Sequence, residues 1–82
     1  MTEILVFSKP SCVPCSSTKE WLQQKNIRYT EIPAFDKPDI PVKYRVRSLP
    51  TTIVLEGGKE SGRVIGFKPE ELLKLLGNGN AT

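Results

Sequence analysis

"SKPSCVPCSSTKEW", residues Ser8–Trp21, holds both cysteines of the chain, Cys12 and Cys15, three positions apart. It follows a short apolar segment, "TEILVF" (Thr2–Phe7), in which Ile4/Val6 and Leu5/Phe7 make both faces apolar. A strand with two apolar faces belongs in a sheet covered on both sides. Lys9-Pro10-Ser11 breaks that strand, and Val13–Lys25 then reads as a helix. Pro14 falls in its first turn, where no backbone donor is needed. Pro14, Thr18, Trp21, Leu22 and Lys25 lie near one stripe of this helix, and Asn26 suits a left-handed residue just past its end. The cysteines therefore stand where a buried strand turns into a helix, Cys12 at or just before the helix start and Cys15 one turn in.

Working outward, "IRYTEI" (Ile27–Ile32) reads as a second strand stopped by Pro33. A β-α-β unit of this size defaults to parallel pairing with a right-handed crossover. "PAFDKPDIP" has three prolines and reads as a loop. Val42–Val46 is open between a short helix, starting near Pro38 or Pro41, and irregular structure. Thr51–Glu56 is a β-branched third strand, "GGKE" a hairpin turn, and Ser61–Phe67 a fourth strand. Gly66 marks either a bulge or a close backbone approach. "KPEELLKLLG" is a helix with Pro69 at its first position, Glu70 and Glu71 at its positive end, and Gly77 expected to end it. Leu72, Leu73, Leu75 and Leu76 are expected to bury one face. The expected order is β-α-β-α-β-β-α, with one domain over residues 1–77 and a tail over 78–82.

Size and charge narrow the function. A chain of 82 residues buries only about 60–65 % of its unfolded surface, and its 38 % hydrophobic content supports an ordinary core. A loop closed by residues three apart restricts the unfolded chain very little, so stabilisation is a poor reason for the cysteine pair. A zinc or iron–sulfur site takes about four ligands, and the chain has no histidine and no third cysteine. No metal is expected, and a metal-bridged dimer is kept only as a rival. The net charge of +3 is mild. Its one small cluster, Lys43, Arg45 and Arg47, reads as a solvated face, so nucleic-acid binding is not expected and acidic protein partners fit better. "MTEILVFSKP" has neither the basic start nor the apolar length of a signal peptide or membrane helix. The expectation is a soluble cytoplasmic protein without membrane contact. In a reducing compartment a cysteine pair is more often catalytic or metal-binding than structural.

The chemistry follows from placement. Residues three apart share a helix face, so the two sulfurs can reach disulfide range. A thiol at a helix N-terminus meets free N–H groups and the positive end of the macrodipole. Both favour the thiolate, which is the nucleophile. Cys12 is therefore expected to be the exposed attacker and Cys15 the covered, resolving thiol, with Lys9 adding positive charge near Cys12. A structural disulfide and a non-catalytic binding module are the rival readings.

Strand, Cys12-Val13-Pro14-Cys15, helix, strand, then Ser48-Leu49-Pro50-Thr51, two strands and a helix resembles the thioredoxin superfamily over about residues 2–77. The size is similar to the glutaredoxin branch. "CVPC" with "SLPTTIV" and "IGFKPEEL" is similar to the NrdH-redoxins within it. The resemblance implies an α/β thioredoxin-like fold, a four-stranded mixed sheet flanked by helices. It implies a cis peptide before Pro50, leaving the Leu49 backbone free to pair with an incoming strand. It implies a monomeric dithiol oxidoreductase without a bound cofactor, using Cys12 and Cys15. Lys9, Val13, Pro14, Leu49, Pro50, Gly66 and Phe67 would then form the substrate surface. The substrate would be a disulfide-containing protein, ribonucleotide reductase in the NrdH reading, with thioredoxin reductase and NADPH as the source of electrons.

The departures are specific. Thioredoxins carry Trp just before the first cysteine and a buried Asp six residues before it, where this chain has Ser11 and Val6. "KPSC" resembles the "KPTC" of glutathione-using glutaredoxins, whose Lys contacts glutathione. Their Gly-Gly-x-Asp-like segment is replaced here by Gly66-Phe67-Lys68-Pro69. Glutathione thus remains the alternative reductant. The aromatics Phe7, Trp21, Tyr29, Phe35, Tyr44 and Phe67 are expected to pack in or against the core; a place beside the dithiol is the second reading for Phe67.

Overall fold

The computed structural model describes residues 2–79, and its organising element is β1 (Thr2–Ser8). Ile4, Leu5, Val6 and Phe7 are each at most 8 % exposed, so both faces of this strand are covered. β1 pairs in parallel with β2 (Thr30–Pro33) on one side and antiparallel with β3 (Thr51–Glu56) on the other. β4 (Lys59–Ile65) extends the sheet from β3, giving the order β2-β1-β3-β4. Ile4, Val6 and Val54 form one core with Leu22 of α1 (Val13–Gln24) and Leu76 of α3 (Pro69–Gly79). Leu5, Phe7, Ile32, Ile53 and Leu55 form the other. It is covered by Ile40 of α2 (Asp39–Lys43) and by Tyr44, Val46 and Leu49 after it. Sequence and structure agree on the mixed four-stranded sheet and the element order. The segment open between helix and irregular structure is a helix only over Asp39–Lys43, which begins inside the stretch expected to be a loop, and Tyr44–Val46 lies beyond it.

The ends of α1 explain a boundary that the sequence misplaces. Asn26 is left-handed, with φ +57°. Its N–H donates to the Gln23 carbonyl at 3.0 Å, and the Ile27 N–H to the Leu22 carbonyl at 2.9 Å. This is the Schellman pattern, completed by Ile27 packing against the core that contains Leu22. Ile27 is thus part of the helix exit, and β2 starts at Thr30 rather than Ile27. Pro33 ends β2 from within, opposite Ser8, on an edge strand where a proline is tolerated. The covered stripe of α1 is Cys15, Thr18 and Leu22, with Trp21 half-buried and Pro14 and Lys25 exposed.

Other expectations need correction. Gly57 and Gly58 have φ of +60° and +87°, so they form a two-residue turn whose central residues are both left-handed. β4 therefore starts at Lys59, not Ser61, and ends at Ile65. The bulge lies where the register slips between Val54 and Leu55, near Ser61, while Gly66 makes the close backbone approach: its N–H donates to the Pro50 carbonyl at 2.7 Å. α3 runs through Gly77 to Gly79, since one glycine lowers helix propensity without forbidding the conformation. Of the expected tail, residues 80–82 lie outside the described residues. Leu73 is 51 % exposed while Leu72 is fully buried, because four leucines in five positions exceed the width of one face. Phe35 is 71 % exposed, on the connection that follows the β2 edge strand. Among the described residues no helix is long and apolar enough to cross a membrane.

Two predictions follow from this packing. Leu72→Ala should lower stability by about 2–5 kcal/mol through lost burial and a residual cavity, whereas Leu73→Gln should stay within about 0.5 kcal/mol; urea unfolding of the two variants checks the contrast. The second concerns Glu31, which joins β2 to α1: Lys19 Nζ and Ser8 Oγ each donate to its Oε2 at 2.8 Å. Lys19 first, and Ser8 second, hold its carboxyl below the ordinary 4.5. A depressed folded value means that the stabilisation is present above the unfolded value and lost as pH falls through the folded one. Lys19→Met should therefore raise the titration point of Glu31, read by carboxyl NMR, and leave the variant with less stability to lose on acidification.

Candidate active site

Cys12 and Cys15 are joined by a disulfide, with 5.2 Å between their Cα atoms. Cys12 is the N-cap of α1, in extended geometry (φ −117°, ψ 106°), and its Sγ accepts a hydrogen bond from the Cys15 N–H at 3.2 Å. Its carbonyl accepts from Ser16 N–H at 3.1 Å, the first helical bond. The sulfur folds back over the helix start, so Cys12 is only 9 % exposed, less open than expected for the attacker; Cys15 is 1 % exposed. The order of accessibility still favours Cys12. A helix N-terminus with an N–H already directed at the sulfur stabilises charge there. Ser11, just before it, is held left-handed with φ +57°, an uncommon conformation for a non-glycine residue.

The remaining candidate residues gather at the same end of the sheet. Phe7 pairs with Thr51, and Thr51 with Ile65. The exit of β1, the entrance of β3 and the exit of β4 are thereby level. The Leu49–Pro50 peptide is cis, and Pro50 is buried. Thr51 Oγ1 donates to the Ser48 carbonyl at 2.6 Å, and Gly66 N–H to that of Pro50. Among the described residues neither the Leu49 N–H nor its carbonyl has a backbone partner. Val13 is 77 % exposed, Ile65 50 % and Phe67 37 %, so Phe67 is not a core residue. Pro14 is exposed on the first turn of α1. Gly66 has φ +84°, the conformation that lets the chain turn from β4 towards Phe67.

Lys9 lies on the opposite flank. It lines an open groove with Cys12, Val13, Lys19, Glu31 and Pro33, and that groove reaches neither Pro50 nor Gly66 and Phe67. The dithiol thus separates a polar flank beside β2 from an apolar flank beside β3 and β4. The Ser8–Glu31–Lys19 network in the polar flank has no local signal in the sequence. Val6 opposite Glu31 and Ser8 opposite Pro33 put Ser8 and Glu31 on the face that α1 covers, and that follows only once the start of β2 is known. Among the described residues no three His, Cys, Asp or Glu side chains are grouped to hold a metal ion.

Comparison with known proteins agrees with this geometry. Residues 4–52 match the glutaredoxin family model. The chain is 34 % identical over 74 residues to the SPbeta prophage-derived thioredoxin-like protein YosR of Bacillus subtilis, covering 89 % of this chain and 92 % of that protein. It is 31 % identical over 72 residues to the glutaredoxin-like protein NrdH of Lactococcus lactis subsp. cremoris, covering 88 % and 97 %. Thioredoxin from Trypanosoma brucei brucei superposes with a TM-score of 0.86 at 25 % identity, over 100 % of this chain and 77 % of that one. The chain carries a Cys12–Cys15 disulfide, has the thioredoxin fold and an NrdH-like sequence, and belongs to the glutaredoxin family of thiol–disulfide oxidoreductases.

Proposed function

We propose that this protein is an NrdH-like electron donor that reduces a disulfide of ribonucleotide reductase and is itself recharged by thioredoxin reductase. The observation that carries the direction of attack is the Cys12 Sγ on the helix N-terminus, receiving the Cys15 N–H. In the reduced protein the Cys12 thiolate attacks one sulfur of the target disulfide. A mixed disulfide forms and the first target thiolate leaves. Cys15 then loses its proton and attacks Cys12. The Cys12–target bond breaks, the second target thiolate leaves and takes up a proton, and two electrons have moved. Val13, Pro14 and Phe67 offer the target apolar surface, Pro50 and Gly66 shape the backbone beside it, and the unpaired Leu49 backbone offers it a strand partner. The protein works as a cytoplasmic monomer and needs no bound cofactor of its own.

A second reading is favoured by Lys9, which shares the groove beside Cys12 and could bind a glutathione carboxylate there. The oxidised protein is to be supplied with NADPH and thioredoxin reductase in one assay, and with NADPH, glutathione and glutathione reductase in another, with ribonucleotide reductase turnover as the readout. Turnover with the first system at least about tenfold faster than with the second is expected. Turnover only with glutathione would overturn the proposal. Cys12→Ser should abolish reduction in either system. Cys15→Ser should retain the first step and accumulate the mixed disulfide, visible by mass spectrometry as an adduct of protein and target.

A further inference from the structure

Thr52 on β3 is fully buried, and its Oγ1 is the one buried side-chain N or O without a hydrogen-bond partner among the described residues. The other buried hydroxyls on and around the sheet are all engaged. Ser8 donates to Glu31, Thr18 to the Pro14 carbonyl at 3.0 Å and Thr51 to the Ser48 carbonyl. A buried hydroxyl left alone is costly, and a valine of nearly the same shape would avoid that cost. Both cross-strand neighbours of Thr52, Val6 and Val64, are valines and nearly inaccessible. The sheet itself therefore supplies no partner.

Placement shows what could. Val54, two positions on and so on the same face, packs with Leu22 of α1. From Leu22 back to Cys15 is seven residues, about 10 Å along the helix axis, towards the end where β1 exits. β3 runs antiparallel to β1, so from Val54 back to Thr52 and Pro50 is movement in the same direction. Thr52 is thus on the face that α1 covers, beside Val6 and level with the first turns of α1, whose inward side chains there are Cys15 and Thr18, and Thr18 is already bonded. Glu31 lies across Val6 from Thr52, on β2, and its carboxylate is engaged by Ser8 and Lys19.

We infer that the Thr52 hydroxyl is the hydrogen-bond partner of Cys15 when the disulfide is open, and so a positioning residue for the resolving thiol. The inference rests on Cys15 being that thiol. In the dithiol the Cys15 S–H donates to Thr52 Oγ1. As Cys15 gives up its proton and its sulfur bonds to Cys12, the departing target thiolate takes up a proton, and the hydroxyl turns to donate to the Cys15 sulfur while it carries charge. Closing the disulfide removes the S–H donor and the thiolate charge, and in the oxidised structure the hydroxyl stands without a partner. The opening of the bond is thereby favoured by a group that lies within the fold rather than on the substrate surface.

The test is the redox equilibrium of the protein with dithiothreitol, which involves neither reductase nor target. Thr52→Val should shift it about tenfold towards the disulfide, about 30 mV for a two-electron couple. Thr52→Ser, which keeps the hydroxyl, should return it to within about twofold of wild type. Thermal unfolding separates this from a packing effect: the oxidised Val variant should melt no lower than wild type and the reduced variant lower. An unshifted Val equilibrium, or equal changes in melting in both redox states, overturns the assignment while leaving the dithiol chemistry standing. A wild-type disulfide that dithiothreitol does not open at all overturns both.

Discussion

The central strand β1 is the constraint on which the other elements depend. Its four apolar residues divide between two cores, so a slip of one residue would exchange the side chains meant for each. Its two neighbours run in opposite senses, β2 parallel and β3 antiparallel. The end at which β1 releases the chain into Cys12 is therefore also the end at which β3 receives it from Pro50. The nearness of the dithiol to the cis proline is a consequence of a mixed sheet, not of any attraction between the two segments. An all-parallel arrangement of the same strands would put the entrance of β3 at the far end.

The long connection from β2 to β3 has to present Leu49 and Pro50 in a fixed place although little of it is regular. It is tied at several points. Ala34 N–H donates to the Ser8 carbonyl at 2.9 Å and Val46 N–H to that of Pro41 at 2.8 Å. The Tyr44 ring tilts against Phe7 with 5.9 Å between centroids. Arg63 on the edge strand closes the set: its guanidinium donates to the Tyr44 carbonyl at 2.7 Å while pairing through two nitrogens with Glu60. The hydrogen bond from Arg63 holds the Glu60 carboxyl below its ordinary range. A charge-assisted, two-point pair keeps the fork aimed at the carbonyls. The edge strand thus helps to position the Leu49–Pro50 segment through groups remote from the sulfurs.

What was legible in the sequence was what is local. The buried β1, Pro14 at the start of α1, Asn26 at its end and the strand at 51–56 each depend on a few adjacent residues. The cis Leu49–Pro50 peptide came from resemblance, since no local rule distinguishes it from an ordinary proline turn. The failures required tertiary information. Ile27 has the composition of a strand residue, yet its N–H is taken by the helix exit. Leu73 looks like its neighbours and differs only in the direction it faces. Phe35 is aromatic but follows an edge strand and is largely exposed. At the site, the cysteines could be found from spacing alone, whereas the Ser8–Glu31–Lys19 network and the lone Thr52 hydroxyl depend on strand register.

The first turn of α1 shows how cap and chemistry are combined. Helix N-termini commonly carry acids, which satisfy the free N–H groups and the positive end of the dipole. α2 has Asp39 there and α3 has Glu70 and Glu71, but the first turn of α1 has none. Pro14 removes one of the unsatisfied donors by having no N–H, Ser16 uses its own on the Cys12 carbonyl, and the Cys15 N–H is directed at the Cys12 sulfur. An aspartate in place of Ser16 or Ser17 would make an ordinary helix more stable, but here it would set a negative charge beside the sulfur that must become negative. The serines of "CVPCSS" are therefore as much a part of the reactive turn as the cysteines: they leave the positive end of the helix to Cys12.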